Sequence, residues 1–108
     1  MNNATLAEVL ISALESIGAT AAYSWDSAAT AVRIPVQTGT LGIMGTSDEG
    51  DADVDYPATD ERHRGLLVWH EGAEGEEQYV VYDSDRHATS LQRDVQFMLN
   101  AIRPYLTT

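Results

Sequence analysis

Apolar residues near the N-terminus recur at spacings of three and four, a pattern typical of a helix with one buried face. This stripe runs from Leu6 to Ile17. Thr5 and Glu8 have the spacing of a capping box, and Gly18 directly follows the last apolar position. The pattern therefore predicts an N-terminal helix whose two ends are both marked.

A second stripe with the same spacing lies near the C-terminus, between Leu91 and Ile102. Thr89 and Gln92 lie three residues apart at the start of this stripe and are interpreted as the capping box of the helix. Pro104 follows the last apolar residue of the stripe, and proline lacks the N–H group that a helix interior needs. We therefore expect the C-terminal helix to end at Pro104.

Between the two helices the apolar period changes to two, which is typical of strands. Pro35 interrupts one strand, and an open edge or a bulge is expected there because proline cannot donate to a ladder. The clearest hairpin has a glycine-rich turn, and we assume for it a register in which Glu71 faces Glu77 and His63 faces Asp85. The first two predicted strands contain Tyr23 and Trp25, and Val32, Ile34 and Val36, and the later ones contain the segments "TLGIMG", "RGLLVWHE" and "EQYVVYDS".

The predicted order of elements is a helix, three strands, a long acidic loop at about 46–63, two strands and a helix. This order predicts an α+β fold of two layers, in which an antiparallel sheet of about five strands carries the N- and C-terminal helices on one face. A chain of 108 residues is long enough for one hydrophobic core, so we expect 1–108 to form a single domain.

The composition is strongly acidic, with a net charge of −11, six arginines and no lysine. Such a charge repels phosphate backbones and anionic lipids, so direct binding to nucleic acid or to a membrane is not expected. The absence of cysteine excludes disulfides, thiolate nucleophiles and sulfur-bound metals. No cofactor is predicted. The N-terminus lacks both the basic start and the long apolar run of a signal peptide, which favours a cytoplasmic protein.

The acidic loop resembles a calcium loop only in its first half. Asp51, Asp53 and Asp55 occupy the first, third and fifth positions of such a loop. Tyr56 stands where glycine should allow a sharp turn, and Arg62 stands where a bidentate glutamate should complete the coordination shell. An EF-hand is therefore not predicted.

Carboxylates are concentrated in the middle of the chain, where 13 of the 17 acids fall between Asp48 and Asp85. A fixed row of carboxylates can occupy a groove built for phosphates and can accelerate the encounter with a basic protein. We therefore predict a non-enzymatic, acidic protein-binding module with a basic partner. A narrower version is an inhibitor of a nucleic-acid-binding protein, by analogy of size and charge with phage or plasmid counter-defence proteins. The predicted partner-binding residues are Asp48, Glu49, Asp51, Asp53, Asp55, Asp60, Glu61, Glu74, Glu76 and Glu77.

Five aromatic residues occupy predicted strand positions: Tyr23, Trp25, Trp69, Tyr79 and Tyr82. Side chains along a strand alternate between the two faces, and two short helices cannot cover both faces of a sheet. Part of this set is therefore expected on an exposed face, where tyrosine and tryptophan favour protein interfaces. The alternative is that they belong to the ordinary core of the sheet.

Two alternative functions remain open. One is a metal-binding module or metal-dependent hydrolase that uses His63, Asp85 and His87, since imidazole and carboxylate are normal ligands. His70, by contrast, is interpreted as a half-exposed strand residue. No nucleophile motif supports an enzyme, because Glu49 stands where a nucleophile elbow requires glycine. The other alternative is a generic acidic domain from a salt-adapted or lysine-poor proteome. The oligomeric state is left open by the sequence.

Overall fold

The structure is a computed structural model that describes residues 4–25, 30–50, 52–72, 78–84 and 90–106. These residues form an α+β fold with a helix at each end, as the sequence predicts. None of the described helices has the length and hydropathy needed to cross a membrane. In chain order the elements are α1 (Leu6–Ser16), β1 (Ala22–Trp25), β2 (Thr30–Val36), β3 (Gly39–Ser47), β4 (Ala52–Asp53), β5 (His63–Gly72), β6 (Tyr79–Asp83) and α2 (Leu91–Leu106).

The described strands form one antiparallel sheet in the order β1-β2-β3-β5-β6, and the short β4 pairs with β3. β1 extends along β2 only as far as the pair formed by Ala22 and Arg33. Pro35 lies beyond that pair and faces Thr40 of β3 on its other side. The edge at Pro35 is therefore open towards β1, as expected for a residue that cannot donate to a ladder.

The face of the sheet that carries the helices, here called the inner face, is apolar. The register places Val32, Ile43 and Val68 side by side across β2, β3 and β5, and all three are fully buried. The apolar stripes of both helices cover them, which confirms the arrangement predicted from the helical spacing. The helix residues in this core include Leu6, Leu10 and Leu14 of α1 and Val95, Met98 and Ile102 of α2.

Helix α1 has the ends that the sequence predicts. Thr5 is its N-cap, and a capping box forms because the Thr5 hydroxyl accepts from the Glu8 N–H while the Glu8 carboxylate accepts from the Thr5 N–H. Gly18 ends the helix with a φ of 85°, a conformation that glycine adopts without steric penalty.

Helix α2 differs from the prediction at both ends. Ser90 directly precedes it and accepts from the Arg93 N–H at 3.4 Å, so the capping position is one residue later than predicted. Thr89 lies outside the described residues. The expected stop at Pro104 is wrong, because the helix continues to Leu106. Packing of the last turn offsets the lost backbone bond, since Tyr105 contacts His70 and belongs with Leu106 to the residues packed against the core.

The hairpin of β5 and β6 has a different register from the assumed one. His70 pairs with Tyr79, and the register shifts between Val68 and Trp69, where β6 contains one extra residue, Val81. The assumed register, in which His70 would face Gln78, is therefore wrong, and Glu77 itself lies outside the described residues. The bulge lets both Val81 and the following tyrosine turn towards the core, which strict alternation along the strand would forbid.

Candidate functional site

Residues 48–62, here called the acidic segment, are attached to the rest of the fold by two buried side chains. Val54 is fully buried and Tyr56 is 6% exposed. Their carbonyl oxygens accept from the first N–H groups of α1, from Ala7 at 2.8 Å and Leu6 at 3.0 Å respectively. These N–H groups have no partner within the helix, so the acidic segment satisfies them from outside. The described part of the segment is thus a fixed part of the domain.

Further backbone contacts hold the two ends of the acidic segment. Ala52 of β4 pairs with Thr46 of β3, and the Asp48 N–H donates to the Arg62 carbonyl at 2.7 Å. The Ala58 N–H donates to the carbonyl of Ala4, just before α1, at 2.9 Å. The segment predicted as a loop without periodicity therefore contains a short strand and a closed base.

A buried polar network joins the acidic segment to α2. The Tyr56 hydroxyl lies 2.7 Å from Nδ1 of His63, and Nε2 of His63 lies 2.6 Å from Oδ2 of Asp94. The Tyr82 hydroxyl donates to Oδ1 of the same carboxylate at 2.6 Å. The side chains of His63 and Asp94 are only 1% and 2% exposed. This His63–Asp94 pair is therefore closed to solutes in bulk solvent.

The protonation of this network follows from its surroundings. Burial alone would raise the pKa of Asp94, but hydrogen bonds from His63, Ser84 and Tyr82 outweigh it and hold that pKa below its usual value. Burial raises the pKa of Tyr56, so its phenol keeps its proton. The ionised Asp94 can only accept, so Nε2–H of His63 donates to it, and in the neutral imidazole Nδ1 accepts from Tyr56.

The metal site predicted at His63, Asp85 and His87 receives no support from this geometry. Both ring nitrogens of His63 are already hydrogen-bonded, so neither has a lone pair free for a metal. Asp85 and His87 lie outside the described residues. Within the described ranges, no group of three histidine or acidic residues could hold a metal ion. The metal alternative stays a prediction.

The sequence contained one signal for the buried network that its interpretation missed. Asp94 lies three residues after Leu91 and four before Met98, so this carboxylate shares the apolar stripe of α2. A carboxylate at such a position needs a buried partner. His63 supplies it from a strand 31 residues away, and the spacing of residues along the chain does not reveal that contact.

At the start of the acidic segment, the predicted partner-binding residues Asp48 and Glu49 share one arginine. Arg62 donates from Nε to Asp48 at 2.6 Å and from Nη2 to Glu49 at 3.2 Å. The hydrogen bond from Arg62 lowers the pKa of Asp48. The Glu49 side chain remains 66% exposed, so most of it faces solvent.

Two central carboxylates of the segment make internal contacts. Oδ1 of Asp53 accepts from the Asp55 N–H at 2.9 Å and fixes a local turn. The Asp55 carboxylate accepts from the Tyr23 hydroxyl at 2.9 Å and from the Thr30 hydroxyl at 2.7 Å. These bonds join the segment to the β1–β2 side of the sheet.

At the end of the segment, Asp60 and Glu61 differ. Oδ1 of Asp60 accepts from the Leu91 N–H at 2.8 Å and thereby satisfies the first turn of α2, where a negative charge is also favourable. Glu61 is an exposed residue. The predicted partner-binding residues outside the described part of the chain are Asp51, Glu74, Glu76 and Glu77.

On the opposite side of the sheet from the helices, here called the outer face, Trp69 is held in one orientation. Its ring lies over Gly42, where an added Cβ would overlap the ring. Its indole N–H donates to Glu71 at 2.7 Å, and the Arg33 guanidinium lies 5.8 Å from the ring centroid. Arg33 also bonds Glu71 at 2.8 Å. Hydrogen bonds from Trp69 and Arg33 lower the pKa of Glu71, which therefore stays ionised.

Two pockets on the outer face meet at Leu67, which lines both of them. One measures about 400 Å³ and is mostly apolar, and the other measures about 560 Å³ and includes charged residues. We call their union the outer groove. The apolar pocket is lined by Met44, Leu67, Trp69, Gln78, Tyr79 and Val80, and the charged pocket by Thr46, Ser47, Asp48, Gly50, Ala52, Arg64, Leu67 and Asp83.

The aromatic residues divide as the sequence suggests. Trp25, Tyr79 and Tyr23 are 73%, 48% and 47% exposed, respectively. Trp69 is partly buried on the outer face, whereas Tyr82 packs against the core. The expectation that part of this set lies on an exposed surface is therefore confirmed.

His70 is not the half-exposed residue that the sequence predicts, since it is only 4% exposed. Its Nε2 lies 2.8 Å from the Thr38 hydroxyl, and its ring contacts those of Tyr79 and Tyr105. Its Nδ1 has no hydrogen-bond partner among the described residues. The two tyrosines cover the imidazole and bond each other at 3.1 Å between their hydroxyl oxygens.

Comparison of the chain with models of known protein families finds no match, and comparisons with curated proteins and with solved structures find no significant similarity either. The function is therefore argued from the geometry of the acidic segment and of the outer groove.

Proposed function

We propose that this protein is a non-enzymatic binding module whose acidic segment recognises a basic protein. In the narrower form of the proposal, the partner binds nucleic acid, and the carboxylates of the segment occupy part of its phosphate-binding surface. The supporting observation is that Val54 and Tyr56 are buried, so the exposed charges between and around them stand on a fixed backbone.

A fixed backbone matters because ordering a flexible loop on binding opposes association. In the acidic segment this ordering has already taken place during folding, through the bonds from α1 to Val54 and Tyr56 and through the internal contacts of Asp55 and Asp60. The partner then meets charges in set positions. Complementary charge mainly increases the rate of encounter and the specificity.

The internal contacts also narrow the set of carboxylates that can serve recognition. Asp55 and Asp60 are engaged with the β1–β2 side of the sheet and with α2, so changing them would damage the fold. Glu49 and Glu61 are exposed and carry the proposal. Asp48 adds charge beside them, but it lies closer to Arg62 than Glu49 does, at 2.6 Å against 3.2 Å, and its side chain is less exposed.

The experiment compares two variants with the same change in net charge. The double variant Glu49→Gln/Glu61→Gln removes two negative charges from the acidic segment, while Glu15→Lys changes the net charge by the same amount on the exposed side of α1. Proteins captured from the native host by the wild-type chain at low salt are identified by mass spectrometry. Each captured partner is then purified, and its affinity for the wild-type chain and for the two variants is measured at several salt concentrations.

An exposed charge pair contributes about 0.2–1 kcal/mol, and the double variant loses two such pairs. We therefore expect it to bind about two- to thirtyfold more weakly, with a smaller salt dependence. Glu15→Lys should change affinity by much less. If both variants weaken binding equally, only overall charge matters, and the alternative of a generic acidic proteome is favoured. Capture of exclusively neutral or acidic partners would contradict the proposal directly.

A further inference from the structure

We infer that the outer groove binds an extended segment of the basic partner that presents one apolar side chain and, further along, arginine or lysine. This inference rests on the proposed function and adds a second contact surface to it, with a defined ligand chemistry. The acidic segment borders the groove, because Asp48, Gly50 and Ala52 line its charged pocket.

Within the described part of the chain, the apolar end of the groove is open to solvent. Val80 is 60% exposed, and Met44, Leu67 and Trp69 are only partly buried. None of these four belongs to the core cluster that the helices cover. An apolar pocket of about 400 Å³ on a chain with net charge −11 is a place where a partner gains affinity by removing apolar surface from water.

The floor of this pocket is already in its final arrangement. Trp69 cannot turn inward because Gly42 lies directly beneath its ring, and its indole N–H is bound to Glu71. Arg33 holds the same carboxylate from the other side. A large aromatic side chain held in this way contributes contact area to a partner without losing side-chain entropy on binding.

The charged end of the groove favours a cation. Asp48 and Asp83 line it together with Arg64. Nη1 of Arg64 donates to the main-chain carbonyls of His63 at 2.9 Å and Asp60 at 3.4 Å. Asp48 and Glu49 of the acidic segment share the single guanidinium of Arg62, and Glu49 is 66% exposed, so the surplus negative charge beside this end makes it suitable for arginine or lysine of the partner.

The repeat of an extended chain matches the strand that the groove follows. The groove follows β5, on which Trp69 and Leu67 are successive outer-face residues. Same-face residues of a strand lie about 6.6–6.8 Å apart. A partner strand has the same repeat, so an apolar residue in the pocket places the side chains about two and four positions later over the charged end.

The test uses short synthetic peptides with a fluorescent label. The first peptide carries one leucine followed by two arginines at alternate positions in a serine–glycine background. In the second peptide serine replaces leucine, and in the third glutamate replaces both arginines. Binding is measured by fluorescence anisotropy, and the site is mapped from amide and indole NMR shifts of the full chain.

Two matched variants separate the groove from general charge. Val80 and Phe97 are each 60% exposed, the first in the groove and the second on α2. Val80→Glu and Phe97→Glu both add one negative charge, which by itself strengthens attraction to a basic peptide. We expect Val80→Glu to bind the first peptide about five- to tenfold more weakly than wild type, because it loses apolar contact, and Phe97→Glu to bind it at least as well.

The shifts caused by the first peptide should centre on Met44, Leu67, the Trp69 indole and Val80, and the second peptide should bind more weakly. The inference is overturned if Val80→Glu and Phe97→Glu behave alike, if shifts are confined to the acidic segment, or if no peptide binds at millimolar concentration. A loss of partner binding in Glu49→Gln/Glu61→Gln alone would then leave the proposed function standing. Equal binding of the glutamate peptide would instead contradict the basic partner and with it both proposals.

Discussion

The two faces of the sheet differ although the same strands form both. Leu66 and Leu67 are neighbours on β5, yet Leu66 is fully buried on the inner face and Leu67 is only partly buried on the outer face. The inner face is covered by two helices, and its buried pair of His63 and Asp94 is hydrogen-bonded internally. The outer face is a platform on which Trp69 is fixed by Gly42, Glu71 and an arginine.

This difference separates stability from recognition. Packing of the inner face against α1 and α2 removes most of the apolar surface from water and is expected to supply most of the free energy of folding. The hydrogen bonds and ring contacts of the outer face are partly solvated, so they contribute less to folding. They fix the shape of a surface that is still accessible to a partner. Substitutions at paired positions on the two faces test this division.

The largest effect is expected between the inner face and α2, where the carboxylate of Asp94 is buried and hydrogen-bonded to His63. Asp94→Ala removes the acceptor of Nε2–H of His63, which is buried, and the acceptor of the Tyr82 hydroxyl, which is partly buried. Removing the charged acceptor of these two hydrogen bonds should cost about 3–6 kcal/mol, measured as the free energy of unfolding in urea. Glu15→Ala, on the exposed side of α1, is the control and should stay within about 0.5 kcal/mol.

A double-mutant cycle shows whether the loss belongs to the pair. In Asp94→Ala, His63 is left in the core without its partner. If this unpaired side chain causes the loss, the double variant His63→Ala/Asp94→Ala should lose less stability than the sum of the losses in the two single variants. Additive costs would show that the two side chains contribute independently, which contradicts the network described here.

The second comparison uses the neighbouring leucines of β5. Leu66→Ala leaves a cavity in the packed inner face and should cost about 2–5 kcal/mol. Leu67→Ala removes the same atoms from a partly solvated groove and should cost less than about 1.5 kcal/mol. Urea unfolding of both variants gives the two values. Similar losses at both positions would mean that the outer face is packed more tightly than its exposure indicates.

The third comparison uses two glycines of β3. A Cβ at Gly45 would overlap Leu6 of α1 and the hydroxyl of Tyr56 in the acidic segment, and both of these residues are buried. Gly45→Ala should therefore cost about 1–3 kcal/mol. A Cβ at Gly42 would overlap only the ring of Trp69, which can swing outward, so Gly42→Ala should cost less than about 1 kcal/mol.

Movement of the ring provides a second measurement for Gly42→Ala. In a Trp25→Phe background, Trp69 is the sole tryptophan, and its fluorescence should become more accessible to iodide when Gly42 is replaced. Unchanged quenching together with a large loss of stability would show that the ring is held by more than the contacts of the outer face.

The features that the sequence predicts correctly are those that depend on nearby residues. The capping box of Thr5 and Glu8 and the stop at Gly18 involve positions within one turn, so residue spacing alone determines them. The stop at Pro104 was wrong because contacts of Tyr105 with a distant strand stabilise one more turn than local preference allows. Tertiary packing overrides propensity in this way at helix ends.

The candidate site was predictable in its charge but not in its structure. The row of acids is visible in the sequence, whereas the bonds from Asp55 to Tyr23 and from Asp60 to Leu91 join residues about 30 positions apart and depend on the completed fold. The bulge at Val81 changes which residues of β6 face the core, and no turn or proline marks it. The assumed hairpin register is off by one residue already at His70 and Tyr79, on the turn side of the bulge, and the bulge adds one more.

The smallest effect is expected from a change at Tyr82, which packs against the core and bonds Asp94 of α2. Burial and the hydrogen bond to Asp94 raise the pKa of Tyr82 to about 12. A folded-state pKa above the usual value of about 10 means that the protonated phenol stabilises the fold below pH 10, and that this contribution is lost as the pH rises towards 12.

Tyr82→Phe removes the hydrogen bond to Asp94 and should cost about 0.5–1.5 kcal/mol at neutral pH. Urea unfolding of both proteins at a series of alkaline pH values should show a constant difference up to about pH 10 that narrows above it. A difference that stays constant to pH 12 would mean that the phenol does not ionise there, or that its bond to Asp94 contributes nothing to stability.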